Sequence, residues 1–177
     1  MSQGYFSSGD AFVAGHDAGS FWTTSQLFRD TSSWYHMMMV CNTTETTDSD
    51  RLKLFVNGSQ VTDFSASSYP GEDDESGWAK AQVHYIGENY NGGDTFGGYL
   101  AEFYYIDGQA LTAASFGETN STTNQWVPIE YEGTYGNEGF YQKYGGTEDA
   151  DDFTDSSSDS PRSVSYTHLT LPTIYSV

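Results

Sequence analysis

Basic residues and cysteines are scarce in this sequence. Six Lys and Arg residues stand against 25 Asp and Glu in 177 residues, which gives a formal net charge of −19. Because a nucleic-acid-binding surface needs basic side chains to neutralise phosphates, no nucleic-acid partner is expected. Cys41 is the single cysteine. No disulfide can therefore form within the chain, and packing has to stabilise the fold.

Long apolar runs are also lacking. No segment is long enough and apolar enough to cross a bilayer, so membrane insertion is not expected. Residues 1–10 have neither the basic part nor the apolar part of a signal peptide, and the sequence therefore predicts no export route of its own.

Aromatic residues and glycine, by contrast, are plentiful. Aromatics make up 16% of the chain, only 36% is hydrophobic, and 19 Gly lie among long Ser, Thr and Asp stretches. Short aromatic strands joined by polar turns have this composition, whereas helical proteins do not. The length permits one domain, and the sequence predicts an all-β fold.

The composition changes abruptly near the carboxyl terminus. Residues 164–177 carry no charge, whereas Glu148–Asp159 has six acidic groups. All ten residues of Val164–Thr173 resemble the translation of a transposase-type sequencing adapter. We therefore expect residues 164–177 to be adapter-derived and the natural sequence to end near Arg162. The alternative is a natural strand, since the segment has fair strand propensity. The acidic, serine-rich residues 145–163 are predicted to form a linker.

The firmest local prediction is a β-hairpin. Arg51–Val56 alternates charged or aromatic side chains with Leu and Val, the period of a half-buried strand. Asn57 and Gly58 follow it, and both central residues of a type I′ turn need positive φ, which these two residue types tolerate. Ser59–Val61 then begins the return strand.

Other elements are predicted along the rest of the chain. Strands are expected at Trp34–Cys41, Val83–Ile86 and Tyr99–Ile106. A turn is expected at Asn91–Asp94, and a single helical turn at Leu111–Phe116 with Thr112 as a weak cap. His36 and His84 fall in these strands and Cys41 ends one, so packing explains them better than a Cys/His nucleophile pair does.

Several of these segments together resemble a known family. They are Trp34-Tyr35-His36, Leu52–Gly58, Ile86-Gly87, Phe96–Phe103 and Asp107–Leu111. Their order and spacing are similar to those of the laminin G-like, concanavalin A-like lectin domains. The resemblance implies a two-sheet antiparallel jelly-roll sandwich over residues 1–144. Only about 30 residues precede Trp34, where the family has several strands, so it also implies a domain shortened at its amino terminus.

A closer resemblance covers the second half of the chain. The matching segments are Gly98–Phe103, Ile106–Leu111, Phe116–Glu118, Trp126–Pro128 and Tyr131–Tyr141. They look like virion-associated proteins of marine tailed phages. This resemblance implies a tail-fibre-type structural protein in the virion, made in the host cytoplasm, with other virion proteins as partners and with homo-oligomers suited to a fibre.

Acidic side chains are the first candidates for chemistry. Glu72 and Asp74 fit two positions of the Glu-x-Asp-x-x-Glu strand that β-glucanases of this fold use, but Gly77 stands at the third, so no catalytic residues are assigned. Hard oxygen ligands favour Ca²⁺ as a cofactor. Its candidate ligands are Asp73, Asp74 and Asp94, with Asp48 and Asp50 as further candidates. The alternative is a solvated acidic surface, which the lack of an EF-hand spacing favours.

Aromatic residues are the candidates for glycan binding, because apolar sugar faces stack on exposed rings. Trp78 and Tyr90 are preferred, since both lie in Gly-, Asp- or Asn-rich loops, where a sandwich carries its recognition surfaces. The function expected is a non-enzymatic phage virion module that binds host-surface glycans. The alternative is a secreted cellular carbohydrate-binding or adhesion domain of the same fold.

Overall fold

The computed structural model describes residues 3–16, 20–75, 77, 84–87, 95–145 and 154–157. The described residues form eleven strands and two 3₁₀ turns and contain no α-helix. The strands are β1 (Gln3–Phe6), β2 (Ala11–His16), β3 (Ser20–Leu27), β4 (Met37–Cys41), β5 (Leu52–Val56), β6 (Ser59–Val61), β7 (Phe64–Ser67), β8 (Phe103–Tyr105), β9 (Gly117–Thr119), β10 (Trp126–Pro128) and β11 (Phe140–Gln142). The 3₁₀ turns are Asp48–Asp50 and Ala113–Ser115. The all-β prediction is confirmed. These described residues include no helix that could cross a membrane.

The strands pair in four antiparallel sheets. One sheet has the order β1-β2-β3-β7 and a second has the order β4-β5-β6. Two further pairs are β9 with β10 and β8 with β11. Neighbouring strands in the first two sheets are mostly joined by short turns, which is the usual connection of antiparallel strands.

The two larger sheets share a hydrophobic core. Ala14 and Trp22 come from the first sheet and Leu52 and Leu54 from the second, and none is more than 4% exposed. Partly buried side chains pack around these four: Phe12, Met37, Met39, Cys41, Val61, Phe64 and Tyr69. Two sheets that bury one face each against a common core form a β-sandwich, as the sequence predicted.

The predicted hairpin is confirmed. Along β5, Leu52, Leu54 and Val56 are buried while the two residues between them are half-buried. Asn57 and Gly58 have φ values of 48° and 77°, so both lie in the left-handed region that a type I′ turn requires. The return strand is β6, which pairs with β5 in the register that this turn sets.

Two predicted strands are shorter in the structure. The strand expected from Trp34 begins only at Met37, and the Trp34 side chain is 67% exposed. The strand expected over Tyr99–Ile106 is reduced to the three residues of β8. Glu102, directly before β8, has a φ of 55°, and a left-handed residue ends an extended segment.

The remaining local predictions have mixed outcomes. His84–Ile86 is not a strand, and Val83 lies outside the described residues, as does the turn predicted at Asn91–Asp94. His36 precedes β4, so the prediction that both histidines lie in strands was wrong. The helical turn predicted at Leu111–Phe116 is confirmed as a 3₁₀ turn, although the side chain of Thr112 makes no capping hydrogen bond.

The described residues divide into two compact units. One comprises the residues up to Thr95 together with Gln109–Glu132, and the other comprises Phe96–Gly108 and the residues from Gly133 onward. The sequence-based division into a domain over residues 1–144 and a linker over 145–163 stays a prediction.

Stacked tyrosines form the centre of the second unit. Tyr141 is 1% exposed, and its ring stacks on Tyr104 at a centroid distance of 4.3 Å and on Tyr135 at 6.5 Å. The hydroxyl of Tyr141 donates to the Glu102 carboxylate. Burial, reinforced by this carboxylate, raises the pKa of the Tyr141 phenol. Glu102, whose left-handed backbone sets where β8 begins, therefore also provides the acceptor for the buried hydroxyl.

Part of the acidic segment pairs with β11 within this unit. Asp155 forms an antiparallel bridge with Gln142, and Ser156 N donates to the carbonyl of Tyr141 at 2.7 Å. The Asp155 carboxylate is buried and accepts from the backbone N–H of Tyr141 and of Ser157, at 3.1 and 2.9 Å. Thr154–Ser157 therefore covers the edge of β11 that β8 leaves open.

Candidate functional site

A polar groove lies between β3 and the β5–β6 hairpin, within the first unit. Its volume is about 560 Å³, and three stretches of chain line it. They are Ser25-Gln26 of β3, Val56-Asn57 at the end of β5, and Ser59–Asp63, which covers β6 and the two residues that follow. A strand and a hairpin from the two core-forming sheets therefore make its walls.

Two hydrogen bonds join the walls of the groove. Ser25 N donates to the backbone carbonyl of Asp63 at 3.2 Å, and Ser25 Oγ donates to Oδ1 of the same residue at 3.0 Å. These two contacts join β3 to the segment after β6, which lies 38 residues further along the chain. Ser25 therefore holds both the backbone carbonyl and the side-chain carboxylate of Asp63.

The Asn57-Gly58 turn on the other side of the groove is held by two hydrogen bonds to the backbone of His36, which we call the backbone clamp. His36 N donates to Oδ1 of Asn57 at 2.8 Å, and Asn57 N donates to the carbonyl of His36 at 2.9 Å. Both groups of His36 belong to its backbone, so this clamp does not depend on the imidazole. Asn57 therefore keeps its left-handed conformation at the rim of the groove.

Trp126 packs against the same turn at Gly58. A Cβ atom at Gly58 or at Gly117 would overlap the indole, so both positions require the absence of a side chain. The ring of His36 lies beside this indole, with centroids 5.9 Å apart. Trp126, from β10, thus packs closely over the turn that carries Asn57.

Most polar side chains in the groove are available to a ligand. Those that make no hydrogen bond with any other described residue are Gln26, Ser59, Gln60 and Thr62. All of them are exposed. Amides and hydroxyls that can both donate and accept match the hydroxyl groups of a sugar, and Val56 and Val61 add a small apolar surface between them.

A comparison with protein families agrees with this architecture. A family model described as the Concanavalin A-like lectin/glucanases superfamily matches residues 2–117. The chain belongs to this superfamily. The chain has no significant match among curated proteins or among solved structures.

Membership in the concanavalin A-like superfamily sets the range of functions. The fold suits a carbohydrate-binding or adhesion module. Laminin G-like domains of this superfamily are generally binding modules without catalysis, although the superfamily also contains glucanases. The lectin-like fold and the antiparallel jelly-roll class predicted from the sequence are therefore confirmed.

The acidic loop of this lectin-like domain contains two of the predicted calcium ligands. Asp73 is exposed with a φ of 59°, and its N–H donates to the carbonyl of Thr43 at 2.9 Å. Asp74 Oδ2 accepts from Gly71 N at 2.7 Å. The third predicted ligand, Asp94, lies outside the described residues. Within the described ranges no group of three or more His, Cys, Asp or Glu side chains could hold a metal ion. The calcium site stays a prediction.

The two further candidate ligands, Asp48 and Asp50, have partners of their own. Asp48 Oδ1 accepts from Ser49 N at 2.7 Å, and Asp50 pairs with Lys53 at 3.1 Å. Glu72 lies in the loop after β7, as the sequence predicted, and not on a strand. A glucanase needs two carboxylates held on either side of the bond that it cleaves, and a loop position for Glu72 does not match the strand that carries them in the family.

The aromatic binding residues predicted from the sequence lie elsewhere. Trp78 and Tyr90 are outside the described residues, so their role in glycan binding stays a prediction. Sequence reasoning missed the groove, which has no aromatic residue in its lining. The Asn57-Gly58 pair was the only available signal, because it placed the hairpin. Nothing in the local sequence shows that Ser25 meets Asp63.

Acid is expected to destabilise the protein through His36. Burial lowers the pKa of this imidazole from its ordinary value of 6.5, and its Nδ1 is buried without a partner among the described residues. The unfolded chain therefore binds a proton at a pH where the folded chain does not, so stability falls as the pH drops below about 6.5. The measurement is the midpoint of urea unfolding between about pH 7.5 and pH 5.

His36→Gln is the matching variant, since it removes the titration and keeps the backbone clamp. Its unfolding midpoint should change less over this pH range than that of the wild type. Identical pH dependence in the two proteins would contradict the assignment to His36.

Proposed function

We propose that this chain is a non-enzymatic carbohydrate-binding module that holds part of a glycan in the groove between β3 and the β5–β6 hairpin. In the finer form of the proposal, it is a structural and adhesive part of a phage virion, and the glycan is on the host surface. It would then be made in the host cytoplasm and assemble with other virion proteins, as a homo-oligomer if it forms a fibre.

The observation that carries the binding proposal is the set of unengaged polar side chains. The side chains of Gln26, Ser59, Gln60 and Thr62 are exposed along one groove and make no hydrogen bonds with other described residues. The pairing of β6 with β5 and the Ser25–Asp63 contacts hold the backbone of these segments, so a ligand does not have to order it. Superfamily membership supports the same class of function.

The phage setting rests on sequence resemblance. The segments from Gly98 to Tyr141 resemble virion-associated proteins of marine tailed phages. The proposal also treats residues 164–177 as adapter-derived, because Val164–Thr173 resembles a translated sequencing adapter over its whole length. The competing function is a secreted cellular adhesion domain of the same fold.

Glycan binding is tested with the full chain on a panel of immobilised glycans, followed by calorimetry on the best ligand. A double variant, Gln26→Ala with Gln60→Ala, should bind about tenfold more weakly, since each lost hydrogen bond contributes about 0.5–1.5 kcal/mol. The control is Gln125→Ala, an exposed glutamine outside the groove. Equal affinity of the double variant and the control would contradict binding in this groove.

The setting is tested by sequencing the source locus upstream of Met1 and beyond the codon for Arg162. A continuing frame without the codons for residues 164–177, flanked by capsid or tail genes, would support the virion proposal. If those codons are present in the locus and the neighbouring genes are cellular, the adapter and phage proposals fall, and the secreted adhesion domain replaces them.

A further inference from the structure

The charge of the groove is set by one residue. Among the residues that line it, Asp63 is the only one with a charged side chain, and none of these residues is Lys or Arg. The chain as a whole carries a formal net charge of −19. Acidic glycans such as uronates or sulfated sugars would therefore meet repulsion at long range and no cation in the groove.

Only one of the two oxygens of the Asp63 carboxylate accepts a hydrogen bond from the described residues. Oδ1 accepts from Ser25 Oγ at 3.0 Å, while Oδ2 accepts no hydrogen bond from the described residues. No basic side chain of the described residues forms an ion pair with it. An exposed carboxylate fixed at the end of a hydroxyl-binding groove can accept a charge-assisted hydrogen bond from a ligand ammonium.

We infer that the groove selects glycans that carry a free amino group, with the sugar ammonium at Oδ2 of Asp63 and the sugar hydroxyls on the groove amides and hydroxyls. This inference rests on the proposed carbohydrate-binding function. It adds the class of sugar and names Asp63 as the residue that determines specificity.

Neighbouring residues make Asp63 suitable for this role. Thr62, beside it in the chain, has an unengaged hydroxyl, and Gln26 follows Ser25 on the opposite wall. An amino sugar bound with its ammonium at Asp63 would therefore have donors and acceptors on both sides for the adjacent hydroxyls. An N-acetylated sugar places a neutral amide at the same position and loses the charge-assisted contact.

The test compares three oligosaccharides of equal length by calorimetry: a β-1,4-linked glucosamine oligomer, its fully N-acetylated counterpart and an oligouronate. All titrations use the full chain at one mildly acidic pH, where the sugar amine is protonated, and are run with Ca²⁺ and with EDTA. We expect the glucosamine oligomer to bind about tenfold more tightly than the acetylated oligomer, and the oligouronate to bind least.

Asp63→Asn keeps an acceptor for Ser25 but removes the charge, and should reduce the affinity for the glucosamine oligomer to that for the acetylated one. Glu130→Gln changes the net charge equally at an exposed site outside the groove, and should have little effect. If both variants weaken binding alike, the attraction is a non-specific effect of net charge and the inference is overturned.

The remaining outcomes separate the inference from the proposed function. Preference for the acetylated oligomer or for the oligouronate, with binding still weakened by the Gln26 and Gln60 substitutions, overturns the inference and leaves glycan binding in place. Binding of the oligouronate only with Ca²⁺ does the same and indicates a metal-dependent route. Absence of binding to every glycan on the panel overturns both.

Discussion

Arg51→Met is expected to lower the free energy of unfolding by about 2–4 kcal/mol, since hydrogen bonds to charged groups contribute about 1.5–3 kcal/mol each and do not add fully. The Arg51 guanidinium donates to three backbone carbonyls, those of Glu45 at 2.7 Å, Thr46 at 3.0 Å and Pro70 at 3.0 Å. Its side chain is only 11% exposed, and Glu72 lies 3.6 Å away. One side chain thus ties the loop before β5 to the loop after β7.

Lys53→Met is the control for this experiment. Lys53 lies in β5, two residues after Arg51, and pairs with Asp50 at 3.1 Å, but the two side chains are 30% and 47% exposed. An exposed pair of this kind contributes about 0–1 kcal/mol. Arg51→Lys should fall between the two variants, because an ammonium cannot serve three carbonyls in the planar geometry of a guanidinium.

The measurement is chemical unfolding followed by circular dichroism, with the slope against denaturant checked for each variant. Equal losses for Arg51→Met and Lys53→Met would show that the three carbonyl contacts add nothing beyond a surface charge.

Gly58→Ala is expected to lower the free energy of unfolding by about 2–5 kcal/mol for two separable reasons. Gly58 has a φ of 77°, and a left-handed conformation costs an L-residue about 1–2 kcal/mol. Its new methyl group would also overlap the indole of Trp126, and overpacking of this kind costs about 1–3 kcal/mol. The free energy of unfolding measures the sum.

Three other glycines separate these two effects. Gly117→Ala meets the same Trp126 indole without a positive φ, so it reports the overlap. Gly108→Ala has a φ of 74° with nothing within 4 Å of its Cβ, so it reports the backbone cost. Gly97→Ala has neither feature and should be close to neutral. A Gly58→Ala loss no larger than that of Gly108→Ala would show that Trp126 yields without cost.

Local sequence patterns predicted those elements whose causes are local. The β5–β6 hairpin follows from alternation over Arg51–Val56 and from the tolerance of Asn57 and Gly58 for positive φ. The 3₁₀ turn within Leu111–Phe116 is also local. Each of these elements depends on a few consecutive residues, so the sequence contains the necessary information.

Elements whose boundaries depend on tertiary contacts were predicted less well. Alternation continues through Tyr99–Ile106, yet β8 begins only at Phe103, because Glu102 turns into the left-handed region while its carboxylate accepts from Tyr141. Tyr141 lies 39 residues further along the chain. The alternation of residue types within the segment cannot reveal a partner so distant in the sequence. The pairing of β1, β2 and β3 was likewise not predicted.

The candidate site was predicted least well, for a related reason. Sequence reasoning looked for stacking rings and for acidic ligands, and it selected residues in loops by their type. The groove instead consists of ordinary Ser, Thr, Gln and Asn side chains, and only the pairing of β3 with the segment after β6 brings them together. Residue type carries little information about a site built in this way.

The close packing of Trp126 on Gly58 gives this protein an optical property. The indole lies against the residue between Asn57 and Ser59, both of which line the groove, whereas Trp22 is enclosed in the core. Indole emission shifts with the polarity and water content of its surroundings. We therefore expect a ligand that displaces water from the turn to change the fluorescence of Trp126 while that of Trp22 stays constant. Occupancy of the groove would then be visible in the unlabelled protein as a change in one of its four tryptophans.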